Sequence, residues 1–253
     1  VSFLYPMTII ASKAKKKYGI KYTYYNMGIA PPNLFRNLSE KLYLMLFSFF
    51  TKLTTANADT AVSISRFLKG QLRKDTGLDS KVKYVRIDKK RFNLKISKAL
   101  AGKIRKKHGV RGPMLLYVGR ISPHKGLHLL IKAFKVVNSK FPEAKLVIFG
   151  KHTFNDYSKK LKKLANKNTI FEGYVPDKAL PYYYAACDVY ATASLWEGFD
   201  IPAVEAQACG KPVVAFDIGS HREVIKSGKL VSPGNVRELA EAMIKYIQKH
   251  RSH

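Results

Sequence analysis

The sequence has few cysteines, few acidic residues and no long apolar run. Only Cys187 and Cys209 occur, and they form no Cys-x-x-Cys pair, which favours two buried thiols in a reducing cytoplasm. The longest apolar run, residues 42–50, is interrupted by Ser48 and is shorter than the roughly 18 residues that a membrane-spanning helix requires. The first residues lack a basic region and a small-residue cleavage site, so no signal peptide is predicted.

The scarcity of acidic residues gives the chain a strong positive charge. Its 253 residues include 46 Lys and Arg but 17 Asp and Glu, a formal net charge of +29. Such a surface attracts polyanions, which include nucleic acid, anionic lipid headgroups and phosphorylated substrates. A lysine-rich proteome produces the same bias without a specific partner, and both interpretations stay open.

The hydrophobic pattern predicts a doubly wound, parallel α/β sheet from residue 114 onward. Hydrophobic residues make up 46% of the chain, enough for a buried core. Short apolar runs alternate with helix-period segments, as in sheets covered by helices on both faces. The predicted strands are residues 114–118, 146–150, 170–174, 189–192, 213–216 and 229–231.

The first 95 residues resemble a similar but incomplete unit. Strands are predicted at 22–26, 59–64 and 82–87, and helices at 39–53 and 65–74. Three strands leave one sheet edge uncovered, so we expect this unit to continue into further residues or to pair with a partner chain. The basic segment 89–112 is interpreted as a linker, which gives a partial N-terminal domain at 1–95 and a C-terminal domain at 96–253.

The first candidate site segment joins the strand at 114–118 to the next helix. In open parallel sheets, ligands bind beyond the carboxyl ends of the strands. Gly119 and Gly126 permit tight turns there, and Arg120 and Lys125 place positive charge beside a helix N-terminus, a combination suited to a diphosphate. Taken alone, two basic residues in so basic a protein favour a solvated loop.

The second segment follows the strand at 189–192. Glu197 lies in the loop, and Glu205 lies early in a helix that has Pro202 in its first turn. Both carboxylates are expected in the same crevice, where they suit the hydroxyls of ribose and hexose rings. The alternative is that Glu205 complements the helix dipole and Glu197 is solvated.

Two further features receive a structural interpretation. The segment 217–223 follows another strand and is more typical of a structural turn than of a crevice wall. His124 and His128 are four residues apart but have no evident third ligand, which favours surface histidines over a zinc site.

Four separated motifs occur in order along the second half of the chain. They are Gly119-Arg120 with Lys125-Gly126, Glu197-Gly198-Phe199 with Glu205, Ala208-Cys209-Gly210-Lys211-Pro212-Val213-Val214, and Leu230-Val231-Ser232-Pro233-Gly234. Together they resemble the C-terminal domain of family 4 glycosyltransferases, retaining enzymes of the GT-B architecture, over about residues 114–247. The resemblance therefore implies a GT-B-like fold with two Rossmann-like domains, the first of them partial.

The resemblance also implies a role for each site residue. Arg120 and Lys125, at the turn opened by Gly119, would bind the diphosphate of a nucleotide-sugar donor. Glu197 would be the catalytic-site carboxylate, lying against the transferred sugar and orienting its hydroxyls, and Glu205 would bind the ribose. The backbone N–H groups that would contact phosphate and sugar belong to Phe199, Asp200 and Ile201.

Some of the departures of this chain from the family pattern bear directly on the site. Asp200 stands where the family commonly has Gly, and its carboxylate would weaken diphosphate binding unless it turns away to cap the helix. The early glycine-rich loop and the sugar-proximal His of the family's N-terminal domain are absent from this sequence.

The implied reaction transfers a hexose from a nucleotide-diphosphate sugar to an acceptor hydroxyl with retention. No Asp-x-Asp motif occurs, so we expect no metal and no cofactor besides the donor substrate. The alternative is a catalytically incomplete nucleotide-sugar-binding protein or a subunit of a split enzyme. Nucleic acid is the least favoured partner, because no aromatic-interleaved basic groove is present.

The charge and hydrophobicity of the first 95 residues bear on the acceptor. Residues 1–95 carry 19 basic and 5 acidic residues, and the segment 38–53 is strongly apolar. This combination indicates either docking on an anionic membrane, with a lipid-linked or polysaccharide acceptor, or a core helix with a solvated lysine face. The first alternative predicts a cytoplasmic protein located peripherally on the inner face of the membrane.

Overall fold

The computed structural model describes residues 6–35, 37–96, 98–151 and 155–251. The chain divides into two compact units, one comprising Val1–Arg86 with Trp196–Phe199 and the other Ile87–Leu195 with Asp200–His253. The second unit begins at residue 87 rather than at residue 96, because Phe92 is buried in its core and Ile87 packs against the same cluster.

The first unit is a small parallel sheet with helices. Its strands are in the order β1-β2-β3, and β1 and β2 pair in register from Thr23 with Thr60 to Asn26 with Ser63. Its elements are α1 (Met7–Tyr18), β1 (Thr23–Asn26), α2 (Leu38–Thr55), β2 (Thr60–Ser63), α3 (Arg66–Thr76) and β3 (Lys81–Val82).

Local sequence explains where these helices begin and end. The Ser65 hydroxyl accepts a hydrogen bond from the Leu68 N–H and caps the start of α3. Gly77 ends the same helix in the left-handed conformation, which glycine adopts without a steric penalty. The core of this unit consists of Tyr22, Tyr24, Ala58, Ala61 and Leu72.

Two helices of the structure are absent from the sequence-based prediction, and β3 covers two residues instead of the expected 82–87. Helix α1 buries Thr8 and Ser12, so its hydrophobic pattern carries no signal of a packed face. Helix α4 (Lys98–Lys107) lies inside the predicted linker, and it packs against α7 (Leu180–Ala186). The linker interpretation is wrong there, because Ala101 in this lysine-rich segment is buried in the core of the second unit.

The second unit has the predicted doubly wound architecture. Its remaining helices are α5 (Leu127–Lys140), α6 (Asn155–Leu164), α8 (Ile201–Ala208), α9 (His221–Val224) and α10 (Val236–Arg251). Its strands are β4 (Met114–Val118), β5 (Lys145–Phe149), β6 (Thr169–Gly173), β7 (Val189–Thr192), β8 (Val213–Phe216) and β9 (Gly228–Val231). They form one parallel sheet in the order β6-β5-β4-β7-β8-β9.

The central strands of this sheet are buried on both faces. Leu115 and Tyr117 belong to a cluster with α5 and α10, whereas Met114 and Leu116 belong to a cluster with α7 and α8. Alternate residues of one strand therefore enter two separate cores, as expected for a parallel sheet between two helix layers. Within the described residues, no helix is both long and apolar enough to cross a bilayer.

Candidate functional site

The order of the strands places a switch point between β4 and β7. Counted from β4, the chain winds outward through β5 and β6, then returns to the other side of β4 and continues through β7, β8 and β9. In open α/β sheets, ligands bind beyond the carboxyl ends of the strands at such a point, where the loops that follow β4 and β7 lie. The segment after β4 and the entry to α8 are the two loops singled out from the sequence.

These two loops touch each other at the strand ends. The backbone N–H of Leu195 donates to the carbonyl oxygen of His124 over 2.8 Å. Gly126 has a φ of +61°, and a Cβ atom there would overlap the carbonyl oxygen of Ala193. Only glycine satisfies both conditions, so this residue determines how closely the β4 loop approaches the end of β7.

The β4 loop carries both predicted diphosphate ligands. Arg120 is exposed and Lys125 is half-buried, and the Tyr117 hydroxyl donates to the Arg120 carbonyl over 3.1 Å. His124, between them, is 4% exposed, and burial with the charges of Lys125 and Arg120 lowers its pKa to about 3. The expectation of a surface histidine is therefore wrong for His124, which is a neutral, buried part of the loop.

Asp200 begins helix α8 and is turned into the protein. Its φ of +64° is the only positive value among the described non-glycine residues. One carboxylate oxygen accepts from the Ala203 N–H over 3.2 Å, which caps the helix as expected if the side chain turns away from a diphosphate. Burial raises the pKa of Asp200, but His221 and Lys125 outweigh this effect and hold it below its usual value.

His221 is the partner of this carboxylate. Its Nε2 atom lies 3.0 Å from Asp200 Oδ2, and its Nδ1 atom lies 2.6 Å from the Phe216 carbonyl oxygen. The side chain is fully buried. The segment 217–223, interpreted from the sequence as a structural turn, thus reaches the N-terminus of α8.

Glu205 lies in the second turn of α8 and is held by a buried tyrosine. The Tyr184 hydroxyl donates to Glu205 Oε2 over 2.8 Å. Burial raises the pKa of Glu205, while the hydrogen bond from Tyr184 and the charge of Arg91 oppose the rise. One carboxylate oxygen is thereby fixed, and the other is left to accept hydrogen bonds from a ligand.

The segment Trp196–Phe199 belongs to the first unit, although it lies between two stretches of the second. The Trp196 ring packs against Gly28, where a Cβ atom would come within 2.5 Å of the indole, and it makes an edge contact with Phe67 at 6.4 Å. Phe199 contacts Tyr84 at 6.0 Å between ring centroids. Glu197, flanked by these anchored rings, is 6% exposed, so its carboxylate is held in place rather than solvated.

The predicted site residues fall into two groups. Lys125, Asp200 and Glu205 are electrostatically linked, since the charge of Lys125 lowers the pKa of Asp200 and the charge of Asp200 raises that of Glu205. Gly119, Arg120 and Ile201 lie in the same two loops of the second unit, whereas Glu197 and Phe199 belong to the first. Sequence reasoning missed Tyr184 and His221, because each acts on a residue 21 positions away and no short motif signals that pairing.

The family model for group 1 glycosyl transferases matches residues 101–253. This range includes every element that builds the crevice and more than half of the chain. The chain belongs to this family. The expected family resemblance and the expected GT-B-like α/β fold are confirmed.

Curated proteins similar to this chain include a named synthase and an uncharacterized glycosyltransferase. The chain is 31% identical to mannosylfructose-phosphate synthase of Agrobacterium fabrum over 169 residues, which are 62% of this chain and 37% of that protein. It is 32% identical to the uncharacterized glycosyltransferase MJ1607 of Methanocaldococcus jannaschii over 198 residues, 74% of this chain and 50% of that protein. The chain thus matches half or less of the length of these relatives.

Solved glycosyltransferase structures share the fold of this family member. Anabaena HepE in complex with UDP-glucose has a TM-score of 0.82 at 25% identity, and the match covers 96% of this chain and 67% of HepE. Sucrose-phosphate synthase of Thermosynechococcus elongatus has a TM-score of 0.78 at 20% identity, covering 97% of this chain and 63% of that protein. At that identity the second likeness concerns the fold alone.

Proposed function

We propose that the protein transfers a hexose from a nucleotide-diphosphate sugar to an acceptor hydroxyl, with retention at the anomeric carbon. The observation that carries the proposal is the meeting of the β4 and β7 loops, with Lys125 of the β4 loop close enough to Asp200 at the start of α8 to lower its pKa. HepE, a structural neighbour over nearly the whole chain, is described in complex with UDP-glucose, and this favours a UDP-sugar as the first donor to test.

The cations act on the leaving group. As the bond between the anomeric carbon and the diphosphate breaks, negative charge grows on the departing oxygen. Arg120 and Lys125 stabilise that charge more in the transition state than in the bound donor, and the positive end of the α8 dipole adds to the effect. Asp200 does not oppose it, because its carboxylate is turned inward and paired with His221.

The two glutamates bind the sugar portions of the donor. Glu205, fixed by Tyr184, accepts hydrogen bonds from the ribose hydroxyls. Glu197 orients the hexose hydroxyls from a buried position. Neither role requires a metal ion, and we propose that the reaction proceeds without one.

The acceptor, in this proposal, is a lipid-linked or polysaccharide hydroxyl presented at the inner face of a membrane. The dense positive charge of residues 1–95 supports attraction to anionic headgroups. The free, buried thiols of Cys187 and Cys209 support a reducing compartment. Among curated relatives, the Escherichia coli O-antigen chain mannosyltransferase B is 32% identical over 143 residues, 53% of this chain and 36% of that protein.

A thermal-shift screen with UDP-, GDP- and ADP-sugars tests the donor site. At least one donor should raise the melting temperature of the protein, and the shift should shrink in Arg120→Ala and in Glu205→Ala. Arg111→Ala and Glu143→Ala are the matched controls, because both side chains are exposed and precede β4 and β5, at the opposite end of the sheet. Equal shifts in site and control variants would refute the proposed pocket.

Turnover of the best donor tests the chemistry. We expect transfer or slow hydrolysis, a product of unchanged anomeric configuration by NMR, and no loss of rate after treatment with EDTA. Arg120→Ala should lower kcat by about 100-fold, the magnitude typical for removal of one group that stabilises transition-state charge. Donor binding without any turnover would support the alternative of a binding protein, and EDTA-sensitive turnover would refute the metal-independent step.

A further inference from the structure

Helix α2 exposes its hydrophobic side chains and buries its hydroxyls. Thr51 and Thr55 are the buried residues of this 18-residue helix. Its exposed large apolar side chains include four that share one side of the helix and are 50–59% exposed: Leu42, Leu46, Phe49 and Leu53. We call these four residues the α2 stripe. A soluble helix normally has the reverse arrangement, with its apolar side toward the core.

The α2 stripe points directly away from the sheet. Successive residues of an α-helix are rotated by about 100°, which puts all four stripe residues about half a turn from Thr51 and Thr55. Thr51, Thr55 and Tyr24 of β1 line the same pocket of about 180 Å³, so the threonines face the sheet. A further strand added beside β1 would extend the sheet sideways and would leave the stripe uncovered.

In this orientation, α2 packs threonines rather than apolar side chains against the sheet. Thr51 and Gln71 line the pocket beneath the helix, and the Thr51 hydroxyl and the Gln71 side-chain oxygen are buried without a hydrogen-bond partner among the described residues. Rotation of the helix by half a turn would bury the stripe and hydrate the threonines. The native orientation forgoes that gain, which indicates that the stripe is used outside the fold of this unit.

Helix α1 repeats the pattern of α2 and carries exposed lysines. Helix α1 packs beside α2 and buries Thr8 and Ser12. On its opposite side Ile10 is 57% exposed, next to the exposed Lys13 and Lys17. Long lysine stems can lie along an apolar surface while their ammonium groups reach a polar layer.

We propose that the outer face of α1 and α2 docks on an anionic lipid bilayer, with the α2 stripe inserted at the headgroup boundary and Lys13 and Lys17 against the headgroups. Apolar side chains flanked by lysines are what an interfacial helix requires, and the positive charge of the first unit complements anionic lipid. A neutral protein partner would explain the stripe but not the lysines. This inference deepens the proposed function, since it names the surface that would hold the enzyme at a lipid-linked acceptor.

Vesicle flotation tests the proposal on the whole protein. It should float with phosphatidylcholine vesicles that contain phosphatidylglycerol and should remain behind with phosphatidylcholine alone. Leu46→Glu/Phe49→Glu should weaken binding on the order of tenfold, because charged groups replace apolar surface at the boundary. Lys13→Ala/Lys17→Ala should weaken it about fivefold for each lysine removed.

Matched variants separate docking from general effects. Val136→Glu places a charge at another half-exposed apolar position, on α5. Lys160→Ala/Lys163→Ala removes two positive charges from α6, as many as Lys13→Ala/Lys17→Ala removes from α1. Both control variants should float like the wild type. Donor-induced thermal shifts, measured without lipid, should be unchanged in every variant. These shifts report folding and the donor site, so failure of flotation is distinguishable from failure of the proposed function.

Three outcomes would overturn the docking proposal. One is binding to both kinds of vesicle equally or to neither. Another is unchanged flotation of Leu46→Glu/Phe49→Glu. The third is a dimer detected by light scattering without lipid that the same double substitution dissociates, since the stripe would then be an interface between copies of the chain.

Discussion

His221 Nε2 lies 3.0 Å from Asp200 Oδ2, while His221 Nδ1 lies 2.6 Å from the Phe216 carbonyl oxygen. Both ring nitrogens face acceptors, and the depressed pKa of Asp200 keeps its carboxylate ionised. Both contacts suit donation from the ring, which places the Asp200 carboxylate beside a hydrogen-bond donor inside the protein. The pair offsets the burial of an acidic residue at the start of helix α8.

Removal of both members of this pair should cost less than the two single removals added together. His221→Leu leaves a buried carboxylate unpaired and should lower the free energy of unfolding by about 3 kcal/mol. Asp200→Gly relieves the positive φ but removes the carboxylate beside His221 Nε2. In Asp200→Gly/His221→Leu the loss should be smaller than the sum of the two single losses, as measured by urea denaturation. Additive losses would show that the two side chains are not coupled.

Gly126 should not tolerate even alanine. The Cβ atom of Gly126→Ala would overlap the Ala193 carbonyl oxygen, and the residue has a φ of +61°. We expect a loss of about 2 kcal/mol or more in the free energy of unfolding, together with loss of the donor-induced thermal shift. Gly102→Ala, in helix α4 with open space around it, is the control and should be neutral or stabilising. Similar stability of the two variants would contradict the described loop contact.

Buried His124 should make stability depend on pH. Its pKa is about 3 in the folded protein against an ordinary 6.5 in the unfolded chain, so between these values only the unfolded chain binds the proton. Stability therefore rises with pH across this window, and His124 should cost about 2 kcal/mol at pH 5 relative to pH 7. Denaturation midpoints at the two pH values measure the difference, which should shrink in His124→Gln and persist in His128→Gln. An unchanged difference in His124→Gln would show that other groups cause it.

Tyr184 should act on the donor through Glu205. Tyr184→Phe removes the hydroxyl that donates to Glu205 Oε2 and should weaken donor binding by about tenfold or more, because a hydrogen bond to a charged group contributes about 1.5–3 kcal/mol. Calorimetry with the donor found in the thermal-shift screen measures the change. Tyr182→Phe, two residues earlier on the same helix, should bind like the wild type. When Glu205→Ala is already present, the additional Tyr184→Phe change should not weaken donor binding further. A further loss of affinity would show that Tyr184 does not act through Glu205.

Much of the second unit is predictable from local sequence. Strand β4 and the boundaries of β7 and β8 coincide with the predicted segments, because apolar runs buried on both faces are unambiguous over four or five residues. The positions of Arg120, Lys125 and Glu205 at strand ends and at a helix start follow from the same alternation. Helices α1 and α4 are not predictable in this way, because one buries hydroxyls and the other is rich in lysine.

The sequence by itself determined the winding of the parallel sheet, the family to which the chain belongs and the loops that carry its charged residues. These properties depend on neighbours along the chain, which a pattern of residues records. Only the tertiary structure decided that His221 pairs with Asp200, that Tyr184 fixes Glu205 and that the apolar side of α2 faces outward. Each of these outcomes depends on packing between segments distant in sequence, and neither periodicity nor spacing encodes which side chains will meet there.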